Sequence, residues 1–205
     1  MSSNGKWSEQ ACHAANKGNK MLGMLRKTFT YWDSETAKFL YPSLIRPQLE
    51  YAMPVWNNFN KEDAKLLEGV QRRASRVCDL KGYSYEERLK ELQWSSLDER
   101  RRRGDMIQTY KLAHKLDKIT FGQDLFSAAS ESMRERRGHK LTITREIDAK
   151  DSCRSMFFTN RVQTSWNNLP AEIVYAPSVN SFKNKIDDFT NKVRPLSRLS
   201  LYRGK

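Results

Sequence analysis

The segment from Asn60 to Cys78 has the clearest helical periodicity in the chain, and it constrains the fold more than any other stretch. Asn60 is a residue type that caps helices, and Asp63 follows three residues later. Apolar side chains then recur every three or four positions, in one stripe made of Leu66, Leu67, Val70, Ala74, Val77 and Cys78. The pattern predicts an amphipathic helix that runs to Cys78 and turns one face toward a core.

The same helix is predicted to carry a row of positive charge beside its apolar stripe. Four basic residues at spacings of 4, 7 and 4 fall close together on the helical wheel, namely Lys61, Lys65, Arg72 and Arg76. The helix therefore has one face for a core and another for an anion.

Prolines divide the residues before this helix. A helix opened by Asp33 or Ser34 is predicted to end at Arg46, because the residue before a proline is pushed out of the α region. Pro42 lies inside that helix and predicts a kink or an early break. Residues 47–59 are predicted to form an aromatic-rich connector.

Helical spacing and helix caps continue along the rest of the chain. A first helix is predicted after Ser8, and the capping boxes of Ser84 with Glu87 and of Ser96 with Glu99 open later ones. Gly18 and Gly23 weaken the first helix, unless they allow another backbone to approach closely.

The C-terminal third also shows helical spacing, with one exception. Helices are predicted from about Ser155 to Pro170 and again after Ser178, whereas residues 138–147 alternate in part and suggest a short strand or hairpin arm. Alternation of strands and helices, as in βαβ units, is missing. The predicted fold is therefore mainly α, a multi-helix bundle followed by a smaller helical region with at most one short β-hairpin.

Length and periodicity divide the chain into four predicted segments. A chain of 205 residues with 38% hydrophobic side chains suits one domain or two small ones with a real core. We expect a helical domain over residues 1–80 and a helical extension with a linker over 81–137. A helical region over 138–192 and a basic tail over 193–205 complete the prediction.

The charge balance points to a polyanionic partner. Lys and Arg number 37 against 24 Asp and Glu, which gives a formal charge of +13. Such an excess favours nucleic acid, although a basic protein kept soluble by its charge fits the same numbers. We find no signal peptide and no apolar run that would span a bilayer. The expected location is therefore intracellular and soluble, in nucleus or cytoplasm, with no membrane partner.

Cysteine and histidine usage predicts neither a disulfide framework nor a metal site. Cys12, Cys78 and Cys153 are far apart and lie in or near apolar helical patterns, which is typical of reduced, buried thiols. No pair of cysteine or histidine residues has zinc-finger spacing. We expect no metal and no cofactor.

A search for catalytic patterns finds none. The chain has no glycine-rich phosphate loop, no nucleophile elbow and no acidic pair placed to hold two magnesium ions. Cys78 allows two interpretations, a core residue or a thiol activated at the end of a basic helix. His139 also allows two, a plain loop histidine or a contact to phosphate. No catalytic residue is predicted.

Basic residues recur in separate parts of the chain and support a binding interpretation. Contact with a phosphate backbone accounts for that recurrence, and a solvated surface is the alternative for any single residue. The consecutive Arg100–Arg103 cover every side of their turn, so at least one of them must face the core or find a carboxylate. The candidate contacts to nucleic acid are Lys20, Arg26, Lys27, Lys61, Lys65, Arg72, Arg73, Arg76, Arg100, Arg101, Arg103, Arg137, His139 and Lys140. Aromatic side chains that would either stack on bases or belong to the core are Trp7, Tyr31, Trp32 and Trp56.

Short motifs in a fixed order carry a resemblance to a known family. They include KWSE at 6–9, LIRPQLEY at 44–51, VQRRA at 70–74, SYEERL at 84–89, RGDM at 103–106, RGH at 137–139, FFTNRV at 157–162, WNNLP at 166–170 and APSVNSFK at 176–183. The chain resembles the region after the polymerase palm in proteins of non-LTR retrotransposons of the LINE, jockey-like type. No single motif is specific, but together they extend over nearly the whole chain.

The resemblance implies a reverse transcriptase thumb over about the first 80 residues, followed by a C-terminal helical region. In that family the thumb grips the primer–template duplex, an RNA–DNA hybrid or DNA duplex. The family's catalytic aspartates and its endonuclease would precede Met1. The expected function is therefore a non-catalytic fragment that binds nucleic acid through basic helical faces. The alternatives are a protein-interaction module that docks on the palm or on another protein, and an enzyme in its own right.

Overall fold

The computed structural model describes residues 7–29, 31–56, 61–117, 139–144 and 157–193, and every structural statement below concerns these residues. They are predominantly helical, which confirms the predicted mainly α fold. Contacts divide the chain into two compact units at Arg102–Arg103. Among the described helices, none is both long and apolar enough to cross a membrane.

Helix α1, Ser8–Thr28, opens the first unit as predicted. Its buried side is lined by small and branched apolar residues, including Ala11, Ala15, Leu22 and Leu25. Because the alanine side chains are small, neighbouring helices can pack close to this side of α1.

The chain from α2 to α3 stays helical through both of its prolines. Helix α2, Ser34–Leu40, is capped by Asp33, whose carboxylate accepts from the Thr36 backbone N–H at 2.7 Å. A π-helical turn, Tyr41–Ile45, takes the place of the predicted kink, and helix α3, Arg46–Glu50, follows directly.

The predicted helix end at Arg46 is therefore wrong, because Arg46 has helical φ of −56° and ψ of −41°. Pro47 stands at the start of α3, where its missing N–H costs little. The predicted connector after it is wrong as well, since residues 46–50 and helix α4, Met53–Trp56, are helical. The turn between them is made by Ala52 with φ of 51°.

Helices α5, Lys61–Ser75, and α6, Tyr85–Glu91, follow, and helix α7, Leu97–Ala113, crosses the boundary between the units. The capping box of Ser84 and Glu87 is confirmed, with both reciprocal hydrogen bonds present. Ser96 also caps as predicted, since its hydroxyl accepts from the Glu99 N–H at 3.2 Å. Helix α5 stops three residues short of Cys78, and its predicted cap Asn60 lies outside the described residues.

The core of the first unit is built where α1, α3 and α5 meet. A Cβ added to Gly18 would lie 2.8 Å from Leu49 Cδ2 and 3.2 Å from Val70 Cγ1, so Gly18 provides the close approach that the sequence allowed. A Cβ at Gly23 would meet nothing. Leu97 belongs to the same core, so this unit extends beyond the boundary expected at residue 80.

The second unit has its own core around the buried Trp166 and Phe182. Its helices are the later part of α7, then α8, Phe158–Asn167, α9, Ala171–Val174, and α10, Val179–Val193. Residues 139–144 form no helix and no strand, so the strand predicted there is not found in the described part. Instead, the Asn167 amide bonds the backbone N–H and C=O of Ile143 at 3.0 and 2.9 Å.

Candidate nucleic-acid interface

Helix α5 separates an apolar face from a basic one as the sequence predicts, except that Leu66, predicted to belong to the buried stripe, is exposed. Leu67, Val70 and Ala74 are fully buried in the core of the first unit. Four cationic side chains on the other side of the helix are exposed, namely Lys61, Lys65, Arg72 and Arg73, and so is Arg76 directly after the helix end. The exposed face of α5 therefore presents an excess of positive charge to solvent, with Glu62 as an exposed acid on the same side.

Helix α1 runs parallel to α5 and adds its cations to the same end. The Ser8 hydroxyl donates to Asp63 at 3.0 Å, and the Asn19 side-chain oxygen accepts from Arg73 at 2.9 and 3.1 Å. The N-terminal part of α1 therefore contacts the N-terminal part of α5, and a later part of α1 contacts a later part of α5, so the two helices are parallel. The exposed cations Lys20, Arg26 and Lys27 all follow Asn19, so they lie on the half of α1 that accompanies the C-terminal half of α5.

The parallel arrangement also has an electrostatic consequence within the unit. Both helices carry acids in the first turn, such as Glu9 and Asp63, and bases in the last turn, such as Lys27 and Arg73. Charges in these positions offset the helix dipoles, whose like ends lie side by side here. The cations therefore have a structural use as well as a capacity to attract an anion.

Arg72 is both exposed and held in place. Its guanidinium carbon lies 4.7 Å from the centroid of the Tyr85 ring, which is cation–π distance. Tyr85 in turn donates its hydroxyl to Glu68 and accepts from Gln71 Nε2 at 3.1 Å. Burial of Tyr85, followed by its hydrogen bond to Glu68, raises the pKa of the phenol far above its ordinary value, so the hydroxyl stays protonated.

Gln71 connects this arrangement to the core and was not anticipated from the sequence. It is fully buried, accepts from the Tyr41 hydroxyl at 2.6 Å and donates to the Ser95 carbonyl at 3.1 Å. Tyr85 and Asn19, which hold the two neighbouring arginines, were not anticipated either. The spacing of polar residues on one helix contains no signal for partners that come from other helices.

The arginine run on α7 does not form the predicted phosphate surface. Arg100 makes a bidentate pair with Glu50, with Nη2 to Oε2 at 2.8 Å, and Arg103 makes another with Asp187 at 2.6 and 2.7 Å. Arg101 is only 6% exposed. Arg101 is therefore too buried to reach a phosphate, and the carboxylates offset the charge of the partly exposed Arg100 and Arg103, so these two are weaker candidates than the cations of α5. The expectation that one arginine of this run faces inward or finds a carboxylate is confirmed.

The prediction that His139 contacts phosphate is wrong as well. Its side chain is 3% exposed, its Nε2 lies 3.2 Å from the Trp166 carbonyl oxygen, and its ring meets the Trp166 ring edge-on. Burial lowers the pKa of His139, against the opposing effect of that hydrogen bond, so the imidazole is neutral near pH 7. The loop contact to phosphate is excluded in this conformation. Lys140 is exposed, and Arg137 lies outside the described residues.

Most of the aromatic candidates belong to the core. Trp32 and Trp56 are 4% and 5% exposed, and Trp7 packs partly buried against the same core. Tyr31 is 69% exposed and is the member of this group that a base could reach. Stacking on bases is therefore a minor possibility compared with contact to phosphates.

The thiols separate into two kinds. Cys78 is buried, and burial raises its pKa to about 11, so the core interpretation holds and an activated thiol is excluded. The expectation that Cys12 is buried is wrong, since its side chain is exposed on α1. Cys153 lies outside the described residues, among which no group of three or more acidic, histidine or cysteine side chains is placed to hold a metal ion.

Comparison with protein-family models, with curated proteins and with solved structures finds no match to this chain.

Proposed function

We propose that this chain is a non-catalytic part of a retrotransposon reverse transcriptase that binds a nucleic-acid duplex through phosphates. The observation that carries the proposal is the exposed cationic face of α5, extended by the parallel α1. The motif resemblance supplies the class of partner, a primer–template hybrid or duplex. The proposal places the chain in the nucleus or cytoplasm, where such duplexes occur.

The chemistry of this face suits binding without sequence preference. Lysine and arginine side chains on a convex helix surface contact phosphate oxygens, which are the same for every sequence. A polymerase accessory region needs such contacts because it must hold every template that it copies. We therefore expect affinity that falls steeply with salt and differs little between sequences.

The test is a binding titration with RNA–DNA hybrid and DNA duplexes of about 20 base pairs at salt between about 50 and 200 mM. The variant Arg72→Ala, Arg73→Ala, Arg76→Ala is expected to lower the slope of log K against log salt by about 3. No binding of the unmodified chain, even at the lowest salt, would overturn the proposal. A primed-template extension assay is expected to show no polymerase activity.

A matched control removes three exposed cations from other places. Lys90, Lys115 and Lys192 are exposed and lie outside the α1–α5 face. Their triple replacement by alanine changes the net charge by the same amount. An equal loss of affinity in this control would mean that only total charge matters, and the assignment to α5 would be wrong.

Exposed apolar side chains favour a second candidate, a protein-interaction module. Phe39 on α2, Tyr51 in the turn after α3, and Val55 on α4 are 72%, 76% and 63% exposed. Contiguous exposed apolar patches mark docking surfaces, and these three side chains are the candidates for such a patch here. Self-association that persists in the Arg72, Arg73, Arg76 alanine variant and is lost in Phe39→Ser, Tyr51→Ser would support this candidate.

A further inference from the structure

We propose that Tyr85 is a positioning residue that orders Arg72 before a phosphate arrives. This inference rests on the proposed function, because it specifies how one contact of the α5 face is prepared. Arg72 and Tyr85 belong to different helices, and their ring-to-guanidinium distance of 4.7 Å is the contact that joins them.

Stacking holds Arg72 without using its hydrogen-bond donors. The guanidinium lies over a ring face, whereas its N–H groups point outward in the plane of the group. A carboxylate partner would take up both those donors and the charge, as Glu50 does for Arg100. A tyrosine ring leaves the positive charge intact and directs it toward solvent.

Tyr85 is itself held firmly enough to act as a platform. Its hydroxyl is anchored by Glu68 and Gln71, and the second oxygen of Glu68 accepts from the Leu97 N–H at 3.0 Å. Arg88 lies 5.9 Å from the ring centroid and is fixed by its hydrogen bond to Ser75 at 3.1 Å. The ring therefore cannot turn away without breaking several buried contacts.

Ordering of a long side chain before binding lowers the entropy that binding must overcome. An arginine loses rotamer freedom when it grips a phosphate, and part of that loss has already occurred in the folded protein. The opposite arrangement, in which Arg72 leaves the ring to reach the phosphate, predicts that removal of the ring strengthens binding. The two cases differ in sign, so a measurement separates them.

The experiment is a double-mutant cycle in the full chain, measured by anisotropy with an RNA–DNA hybrid of about 20 base pairs. Tyr85→Leu is expected to weaken binding about two- to fivefold with an unchanged salt slope, since every charge remains. Tyr85→Phe keeps the ring but loses the hydroxyl bonds to Glu68 and Gln71, and is expected to weaken binding less than Tyr85→Leu does. In an Arg72→Ala background, Tyr85→Leu is expected to have no further effect.

A second pair of variants keeps the test decisive if Tyr85→Leu does not fold. Arg72→Lys keeps the charge but loses the flat group that stacks, and Arg76→Lys makes the same change on the same exposed face. We expect Arg72→Lys to weaken binding about two- to fivefold more than Arg76→Lys.

Equal losses in that pair would overturn the inference. So would unchanged or tighter binding of Tyr85→Leu, or the same loss in the Arg72→Ala background. These outcomes all require that the unmodified chain binds the hybrid. Absence of that binding marks failure of the proposed function instead.

Discussion

Helices α5 and α7 both carry neighbouring arginines, but they use them in opposite ways. On α5, uncharged partners hold Arg72 and Arg73, namely the Tyr85 ring and the Asn19 amide oxygen. On α7, the carboxylates of Glu50 and Asp187 hold Arg100 and Arg103. Positive charge in a sequence and positive charge available to a ligand are therefore different quantities.

The two kinds of partner differ in their effect on the electrostatic potential around the arginine. A carboxylate at hydrogen-bond distance cancels the charge of a guanidinium for any third group farther away. A ring face or an amide oxygen orients the guanidinium and leaves its net charge unchanged. A neutral partner thus orients a cation that can still bind an anion, whereas an acidic partner forms an ion pair that stabilises the fold.

The largest expected effect concerns the most buried of the carboxylate-held arginines. Arg161 pairs with Asp105 at 2.8 and 3.0 Å, and the two side chains are 4% and 5% exposed. Asp105→Ala removes the carboxylate that accepts from Nε and Nη2 of Arg161, and is expected to lower the free energy of unfolding by about 3–5 kcal/mol, measured by urea denaturation. The exposed Asp188→Ala is the control, with an expected change within about 0.5 kcal/mol. A loss below about 1 kcal/mol for Asp105→Ala would contradict this view of the pair.

An intermediate effect separates a half-buried paired arginine from an exposed one. Arg100→Ala removes the pair with Glu50 and is expected to cost about 1 kcal/mol of stability, with duplex affinity unchanged within about twofold. Arg76→Ala is expected to behave in the reverse manner, with stability within about 0.5 kcal/mol and a salt slope lower by about 1. If both variants weaken binding equally, the distinction between the two helices fails.

The smallest effect concerns His139, for which the sequence left open a plain loop histidine or a contact to phosphate. Because burial lowers its pKa in the folded chain, the unfolded chain takes up the proton first as the pH falls. Its contribution to stability is therefore complete above the ordinary value of 6.5 and decreases below it. We expect the His139 imidazole to titrate below 6.5 in NMR spectra, and His139→Gln to reduce the loss of stability between about pH 7.5 and 5.5. A normal titration would contradict its burial.

Local patterns predicted much of the helical framework. The caps at Asp33, Ser84 and Ser96 and the separated faces of α5 follow from spacing between near neighbours, where backbone geometry decides contacts. The continuation of the helix through Pro47 could not be predicted from the sequence, because the π-helical turn before Pro47 changes which carbonyls lack a hydrogen-bond donor. Local rules for proline assume a regular helix upstream.

The candidate surface was predicted only in part for a related reason. Lys61, Lys65, Arg72, Arg73 and Arg76 are exposed because the apolar stripe beside them must be buried, and that stripe is visible in the sequence. Arg101 and His139 are buried, and Trp166 of α8 packs against His139. The spacing of residues within their own segments does not predict that burial.

The sequence by itself determined that the chain is mainly helical, most of the buried face of α5, and where positive charge lies along the chain. The tertiary structure decided which of those charges remain open to a ligand. Glu50 meets Arg100 and Asn19 meets Arg73 across 50 and 54 residues of chain. Packing creates such contacts, and the spacing of residues within one helix carries no information about them.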